Sequence, residues 1–253
     1  MKISTRVILI TILAFSIHFI FDDLYFKDIR SWVDSYLDFF GISQNIAYTI
    51  VGIPIFLALY LLHGKNKMLS SIGFDTSAYK AFAFAVLFTL PMFLGFSLLF
   101  DISNELSWNG ILIKVVAAGL FEEMYFRGFL FGQLFRYGNL KFIPAVSSGA
   151  IIFGLLHLYQ GTEALELIGI FLITFLGAIL FSWVYAEWNF NLWVPIFLHM
   201  LMNLAWEIFN VSDNALGGIW SNVFRALTIF LVIFLTIKSK KGKNLAIKRA
   251  ELI

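Results

Sequence analysis

The sequence predicts an all-α, polytopic membrane protein, and composition, hydropathy and charge placement support that prediction. The chain has 253 residues, is 60% hydrophobic and has a mean hydropathy of +0.86. Only 13% of its residues are charged, whereas a soluble domain has about 25%. Apolar runs long enough to cross the hydrocarbon core occur about eight times. Their approximate extents are 5–21, 45–63, 79–100, 109–131, 142–159, 165–186, 192–209 and 219–237.

The positions of the basic residues predict how these helices are oriented. With the N-terminus in the cytoplasm, the predicted cytoplasmic segments hold 14 of the 18 Lys and Arg residues. The positive-inside rule expects this bias for eight crossings with both the N- and the C-terminus in the cytoplasm. Lys2, Arg6 and the apolar run to Phe21 resemble a signal peptide, but no small-residue cleavage site follows. We therefore expect an uncleaved first span.

The chain is predicted to form a single membrane domain over residues 1–253. Between the first two spans, aromatic and aliphatic residues recur at helical spacing within 22–41. This pattern predicts a helix that lies on the outer membrane interface, and the alternative is a cap packed over the bundle. A basic tail at about 238–253 is predicted to be cytoplasmic, where it fixes the orientation and could contact anionic lipid.

Three ionisable residues lie close together within the apolar run 109–131. They are Glu122, Glu123 and Arg127, at a depth where a charge costs about 2.5 kcal/mol or more and usually serves a function. On a helix, Glu123 and Arg127 are four residues apart in the order that favours an ion pair. Glu122 is rotated by about 100° from Glu123, so it points elsewhere. A structural ion pair would leave Glu122 unexplained, and this segment is therefore a candidate functional site.

Two other spans carry polar side chains at helical spacing. Phe153 and His157 share a face of one helix, and His199 and Asn203 share a face of another. We expect polar groups from these helices to meet Glu122 in one polar intramembrane cavity. A carboxylate there can take a proton from water, and imidazole and amide N–H groups can stabilise an oxyanion. This combination of residues favours hydrolysis.

Other hydrolytic arrangements fit the sequence poorly. The chain contains no cysteine, which excludes disulfides, thiolate nucleophiles and thiolate metal ligands. No His is followed by Glu, so the H-E-x-x-H helix of zinc proteases is absent. No G-x-S-x-G occurs, and Ser147-Ser148-Gly149 lacks the preceding glycine of an intramembrane serine protease. Asp75 and Asp101 lie at span ends, which disfavours a paired-aspartate protease.

These residues form three motifs that resemble those of a known family. The motif E-E-x-x-x-R occurs at 122–127, F-x-x-x-H at 153–157, and H-x-x-x-N/D at 199–203. Each motif alone is weakly specific, and H-x-x-x-N/D also matches residues 18–22, but the three occur in this order and on separate spans. On these motifs the sequence resembles the CPBP family of intramembrane endopeptidases (CAAX protease and bacteriocin-processing, also called Abi). The resemblance covers roughly the segment from 110 to 206.

The resemblance implies an eight-helix core with a polar cavity that opens toward the cytoplasm. Peptide bonds near the membrane are cut in this cavity. By similarity, Glu122 activates the water with help from His157. His199 and Asn203 bind the oxyanion that forms on the attacked carbonyl group. The residues implied to shape and support the site are Glu123, Arg127 and Phe153.

The resemblance leaves the cofactor undecided. Zinc is one alternative, because His and Glu are zinc ligands, and the ligands would then be Glu122, His157 and His199. The same residues also suit a metal-free, glutamate-dependent protease. We favour the metal-free mechanism, because Asn203 is a poor zinc ligand and a good hydrogen-bond donor to an oxyanion.

The sequence thus predicts an intramembrane endopeptidase in the cell membrane, with the lipid bilayer and a peptide or membrane-associated protein as partners and no nucleic acid. Peptide maturation and bacteriocin self-immunity are the favoured roles, and a prenylated substrate is not assumed. One alternative is a transporter with Glu122, His157 and His199 as a proton relay. Such a transporter more often shows repeats with broken helices, and none is evident in the sequence. The other alternative is a non-catalytic immunity or scaffold protein that retains the motifs.

Overall fold

A computed structural model describes residues 3–240 and residue 247, and within these ranges the chain forms helices and turns without a β-strand. The prediction of an all-α, polytopic membrane protein is confirmed. Its long helices are α1 (Ile3–Leu37), α2 (Phe40–Val51), α3 (Ile53–His63), α4 (Ala78–Leu99), the central helix (Ile111–Phe131), α5 (Phe142–Leu156), α6 (Ala164–Glu187), α7 (Trp193–Ile208) and α8 (Ile219–Ser239). Short helical turns lie at Lys65–Lys67, Ser70–Ile72, Trp108–Gly110, Gln133–Tyr137 and Leu158–Gln160.

The first helix corrects the prediction of a separate interfacial helix within 22–41. Helix α1 continues from the first span for 35 residues, to Leu37, which corresponds to roughly 52 Å at 1.5 Å per residue. The helical periodicity of the segment is real, but nothing interrupts the helix before Asp38, whose φ of 48° turns the chain. Asp34 then accepts a 2.8 Å hydrogen bond from Ser43 Oγ, which joins α1 to α2. The outer part of α1 is therefore an extension of the span.

The number of membrane spans is five or six by length and apolarity within the described residues. Helices α1, α4, α5 with its following turn, α6 and α8 each pass, and α2 with α3 forms a sixth if the 44° bend between them lies within one span. The two other predicted spans coincide with the central helix, which carries four charged residues, and with α7, which has 16 residues. About 20 apolar residues normally cross the hydrocarbon core. The count of eight therefore stays a prediction.

The central helix positions the candidate site because other helices surround it. Between Phe121 and Phe131 every residue except Glu122 and Phe126 is buried. The helix contacts α1, α2, α3, α5, α6 and α7. It is wound as a π-helix, and at its end the N–H of Gly132 donates to the carbonyl oxygen of Arg127, five residues earlier.

The surface of the molecule is apolar in the way that a bilayer requires. Large hydrophobic side chains such as Leu9 on α1, Leu94 on α4 and Phe230 on α8 are exposed. In water such a surface would drive association, whereas in a membrane these side chains face lipid. The predicted basic tail at 238–253 lies outside the described residues beyond Lys240, except for Ile247.

Candidate active site

The two adjacent glutamates of the central helix occupy different environments. Glu123 is fully buried, and its Oε1 lies 3.2 Å from Nη1 of Arg127, one helical turn away. The side chain of Glu122 is 29% exposed. The structure therefore contains the expected Glu123–Arg127 ion pair and leaves Glu122 outside it. A helix separates the directions of consecutive side chains, so one carboxylate is enclosed while the other reaches an accessible space.

Arg127 is enclosed by aromatic rings in addition to its carboxylate partner. Its guanidinium carbon lies 4.4 Å from the ring centre of Phe153 on α5 and 5.6 Å from that of Phe181 on α6. A guanidinium over an aromatic face is attracted by the negative charge of that face. These contacts give Phe153 its place in the site. Phe181 is not predicted from the sequence, because nothing distinguishes it from the other 29 phenylalanines.

His199 of α7 lies between the two carboxylates. Its Nδ1 is 2.8 Å from Oε1 of Glu123, and its Nε2 is 4.0 Å from Oε2 of Glu122. An ionised carboxylate only accepts hydrogen bonds, so the shorter contact assigns a proton to Nδ1. The distance from Nε2 to Glu122 is too long for a direct hydrogen bond. A water molecule or a substrate atom can therefore contact both groups.

Asn203 lies one turn beyond His199 on α7 and contacts the central helix. Its Nδ2 donates a 2.8 Å hydrogen bond to the carbonyl oxygen of Lys114. A side-chain amide has two N–H donors, so this bond fixes the amide and leaves the second donor for another acceptor. Lys114 itself forms an ion pair with Glu207, at 3.0 Å. The bond from Asn203 and this ion pair both join α7 to the central helix.

His157 follows the last residue of α5 and is oriented by its own helix. Its Nδ1 lies 2.7 Å from the carbonyl oxygen of Phe153, and the two rings are 4.5 Å apart. Because a carbonyl oxygen only accepts, Nδ1 is the donor and Nε2 of a neutral ring keeps its lone pair. The structure does not place His157 in hydrogen-bond contact with Glu122. Phe153 is the link, because its ring contacts both His157 and Arg127.

Among the described residues, several buried polar atoms of this cluster have no hydrogen-bond partner. They are Oε2 of Glu122, Oε2 of Glu123, and Nε and Nη1 of Arg127, whose 3.2 Å contact with Glu123 is an ion pair without hydrogen-bond geometry. Buried polar groups in folded proteins are nearly always paired, often with ordered water. These atoms therefore favour a hydrated cavity at this position, where substrate or water completes the hydrogen bonding.

The donor set does not fit a metal ion in this arrangement. Among the residues that the structure describes, no three His, Asp or Glu side chains are grouped to hold one. Glu122, His157 and His199, the ligands considered for zinc, are thus not assembled into a ligand set.

Comparison with known proteins agrees with the motifs. Residues 104–205 match the family described as "Type II CAAX prenyl endopeptidase Rce1-like", and this segment contains all seven predicted site residues. A Bacillus subtilis (strain 168) protein named "Putative membrane peptidase YdiL" is 33% identical over 93 residues, which is 37% of this chain and 34% of that protein. The match thus spans about one third of the relative's length. No solved structure matches the chain. The resemblance to CPBP endopeptidases is confirmed, and the chain is a multi-pass membrane protein.

Proposed function

We propose, on the premise that residues 104–205 resemble the type II CAAX prenyl endopeptidases, that this membrane protein is an intramembrane endopeptidase. It hydrolyses a peptide bond of a membrane-associated peptide or protein, in peptide maturation or bacteriocin self-immunity. The observation that supports this most directly is the pair formed by Glu122 and His199. Their side chains face each other at 4.0 Å across a partly exposed space, with Glu123 fixing the imidazole from behind.

In the proposed first step, the carboxylate of Glu122 accepts a proton from a water molecule. The water oxygen forms a bond to the carbonyl carbon of the peptide, and the electron pair of the C=O bond moves to the carbonyl oxygen. His157 assists from Nε2, which is free because Nδ1 is bound to the Phe153 carbonyl group. General base catalysis of this kind contributes about 10²- to 10⁴-fold to the rate.

In the second step, the tetrahedral intermediate collapses. The C–N bond breaks, and Glu122 returns its proton to the nitrogen of the leaving amine, so that one water has been added across the peptide bond. The second N–H of Asn203 donates a hydrogen bond to the oxyanion before the intermediate collapses. His199 donates a second one from Nε2 in the form that carries a proton on both ring nitrogens, because its Nδ1–H is bound to Glu123. Both side chains are held on α7 by bonds to the central helix, so the donors are positioned before the reaction begins.

The test compares the wild-type protein with Glu122→Gln and His157→Ala in reconstituted membranes. We expect each variant to lose peptide cleavage by about 100-fold or more, because a general base or its partner is removed. Glu105→Gln is the control, since Glu105 is an exposed loop residue and the same amide replaces the same carboxylate. Full cleavage by either site variant would contradict the mechanism.

The same Glu122→Gln variant separates the alternatives. A transporter with a Glu122, His157 and His199 relay would show proton-coupled flux in vesicles without any cleaved product. A non-catalytic immunity or scaffold protein would keep its biological effect when Glu122 is replaced. A comparison of secreted and membrane peptides from wild-type cells and Glu122→Gln cells distinguishes the endopeptidase from both alternatives, because only the endopeptidase leaves an uncleaved precursor in the variant.

A further inference from the structure

The contacts between α1 and the central helix bring a third carboxylate to the level of Glu122. The ring of Phe15 lies 5.3 Å from that of Phe126, and the ring of His18 lies 4.5 Å from that of Tyr125. Residue numbers rise along α1 as they fall along the central helix, so the two helices are antiparallel at this contact. One turn beyond His18 on α1 is Asp22. It therefore lies level with the start of the E-E-x-x-x-R motif.

Contacts further along α1 support this position of Asp22. Phe26, one turn further along α1, packs against Tyr48 of α2 with ring centres 4.5 Å apart. Tyr48 in turn stacks on Phe121, the residue before Glu122, at 5.2 Å. Asp22 thus lies on a face of α1 that packs against aromatic side chains, and these side chains also lie next to Glu122.

The carboxylate of Asp22 lacks a partner of opposite charge. Its Oδ1 is shielded from solvent and has no hydrogen-bond partner among the described residues. Within the described part of the chain, no Lys, Arg or His lies within ion-pair distance of it. Arg30, two turns further along α1, is directed at Gln44 Oε1, 3.3 Å away, and at the ring of Phe40. Asp23 adds a second negative charge next to Asp22 in the sequence.

A carboxylate in this position is unfavourable unless a cation or several donors bind it. Desolvating a charge costs several kcal/mol in a low-dielectric site, and an ion pair offsets that cost. The described part of the chain provides no such cation here, and a basic side chain of the substrate can supply it. The long apolar stem of Lys or Arg also suits the aromatic side chains around Asp22, because such stems pack on apolar surfaces while the charged end reaches its partner.

We propose that Asp22 is a specificity-determining residue that binds a Lys or Arg side chain of the substrate next to the bond that is cut. This inference rests on the proposed function, and it names the substrate class of the same site. Asp22 takes no part in the chemical step. Its contribution is the ion pair with the bound substrate, which raises kcat/KM for basic peptides.

The experiment uses the full-length protein in liposomes and a library of fluorogenic peptides. Each position that flanks the cleaved bond carries Lys, norleucine or Glu. Norleucine has an apolar side chain similar in length to the stem of Lys, so the comparison of these two isolates the effect of the charge. We expect the wild type to prefer Lys over norleucine at one position by about tenfold or more in kcat/KM, as for a charge-assisted bond in a partly enclosed site. Asp22→Asn should reduce this preference to about onefold, and Asp22→Glu should restore most of it.

Asp23→Asn is the matched control, because it removes the same charge at the neighbouring position without changing the face that is level with Glu122. It should keep the Lys preference of the wild type. Asp22→Lys should invert the preference toward the Glu peptide. An undiminished Lys preference in Asp22→Asn overturns the inference, as does a wild type that cleaves all three peptides equally, and both results leave the endopeptidase function standing. A wild type that cleaves no peptide in the library would overturn the proposed function together with the inference.

Discussion

Glu123 is the residue on which the arrangement of the other charged groups depends. Its Oε1 is close to both Arg127 and Nδ1 of His199. It is completely buried, so both contacts are formed in a low-dielectric environment where charge-assisted bonds are strong. Removing this carboxylate would free the imidazole and would leave the guanidinium, which lies against Phe153 and Phe181, without its carboxylate partner. We therefore assign Glu123 as a positioning residue rather than a catalytic one.

At the residue scale, we predict that Glu123→Gln lowers kcat for peptide cleavage by about 10- to 100-fold while KM changes by about twofold or less. The substitution keeps the shape of the side chain but removes the charge that orients His199, which corresponds to a loss of about 1.4–2.8 kcal/mol from the transition state. Steady-state kinetics in proteoliposomes measure both constants. Glu123→Asp should recover part of kcat, and an equal rise of KM in both variants would show that Glu123 acts on substrate binding instead.

At the element scale, the distance between the central helix and α7 decides whether His199 and Asn203 reach the site. Gly119 lies where these helices cross, and a Cβ atom there would be 2.4 Å from Cγ and 3.1 Å from the backbone nitrogen of Met200. Both distances are shorter than van der Waals contact, so any larger residue would push α7 outward. Small residues at helix crossings are a common means of close approach in membranes.

We predict that Gly119→Leu lowers cleavage by about 10-fold or more, because displacing α7 by even about 1 Å misplaces its donors. Cleavage assays on detergent-purified and reconstituted protein measure the loss. Gly177→Ala on α6 is the control, since no atom lies within 4 Å of its added Cβ and alanine favours the helix. This control should retain full activity. A fully active Gly119→Leu would show that α7 tolerates a wider separation than its contacts indicate.

At the scale of the whole molecule, the central helix must cross the membrane if the predicted eight spans are correct. The chain has no cysteine, so one introduced cysteine is the only thiol and reports its own side of the membrane. Asn104 and Lys141 are exposed and flank the central helix. With the N-terminus in the cytoplasm, the positive-inside rule places Asn104 outside and Lys141 inside.

We predict that a membrane-impermeant maleimide labels Asn104→Cys in intact cells and labels Lys141→Cys only after the cells are permeabilised. Asn66→Cys, in the exposed turn after α3, serves as the control for the cytoplasmic side. Labelling of positions 104 and 141 from the same side would mean that the central helix does not span, and the count of eight would then be wrong.

Local patterns in the sequence were sufficient for the helical membrane architecture and for the motifs. Lipid offers no hydrogen-bond partners, so an apolar segment that crosses the membrane must pair its backbone N–H and C=O groups with one another. It therefore forms a helix. A spacing of four residues puts Glu123 beside Arg127 and His199 near Asn203 on any helix, whatever surrounds it. These relations depend only on residues that are close in the chain. The uninterrupted length of α1 was not predicted from the sequence, because amphipathic spacing does not show whether a helix is separate or continues from the preceding span.

Contacts between helices were decided by the tertiary structure alone. Which glutamate meets His199, why Phe181 lies against Arg127, and why Asp22 is level with Glu122 all follow from the register and separation of packed helices. The volumes of the side chains and the crossing angles of the helices set this register and separation. The periodicity of a single helix does not predict them. The sequence by itself determined which polar groups this membrane protein carries at depth, and the packing determined which of them meet.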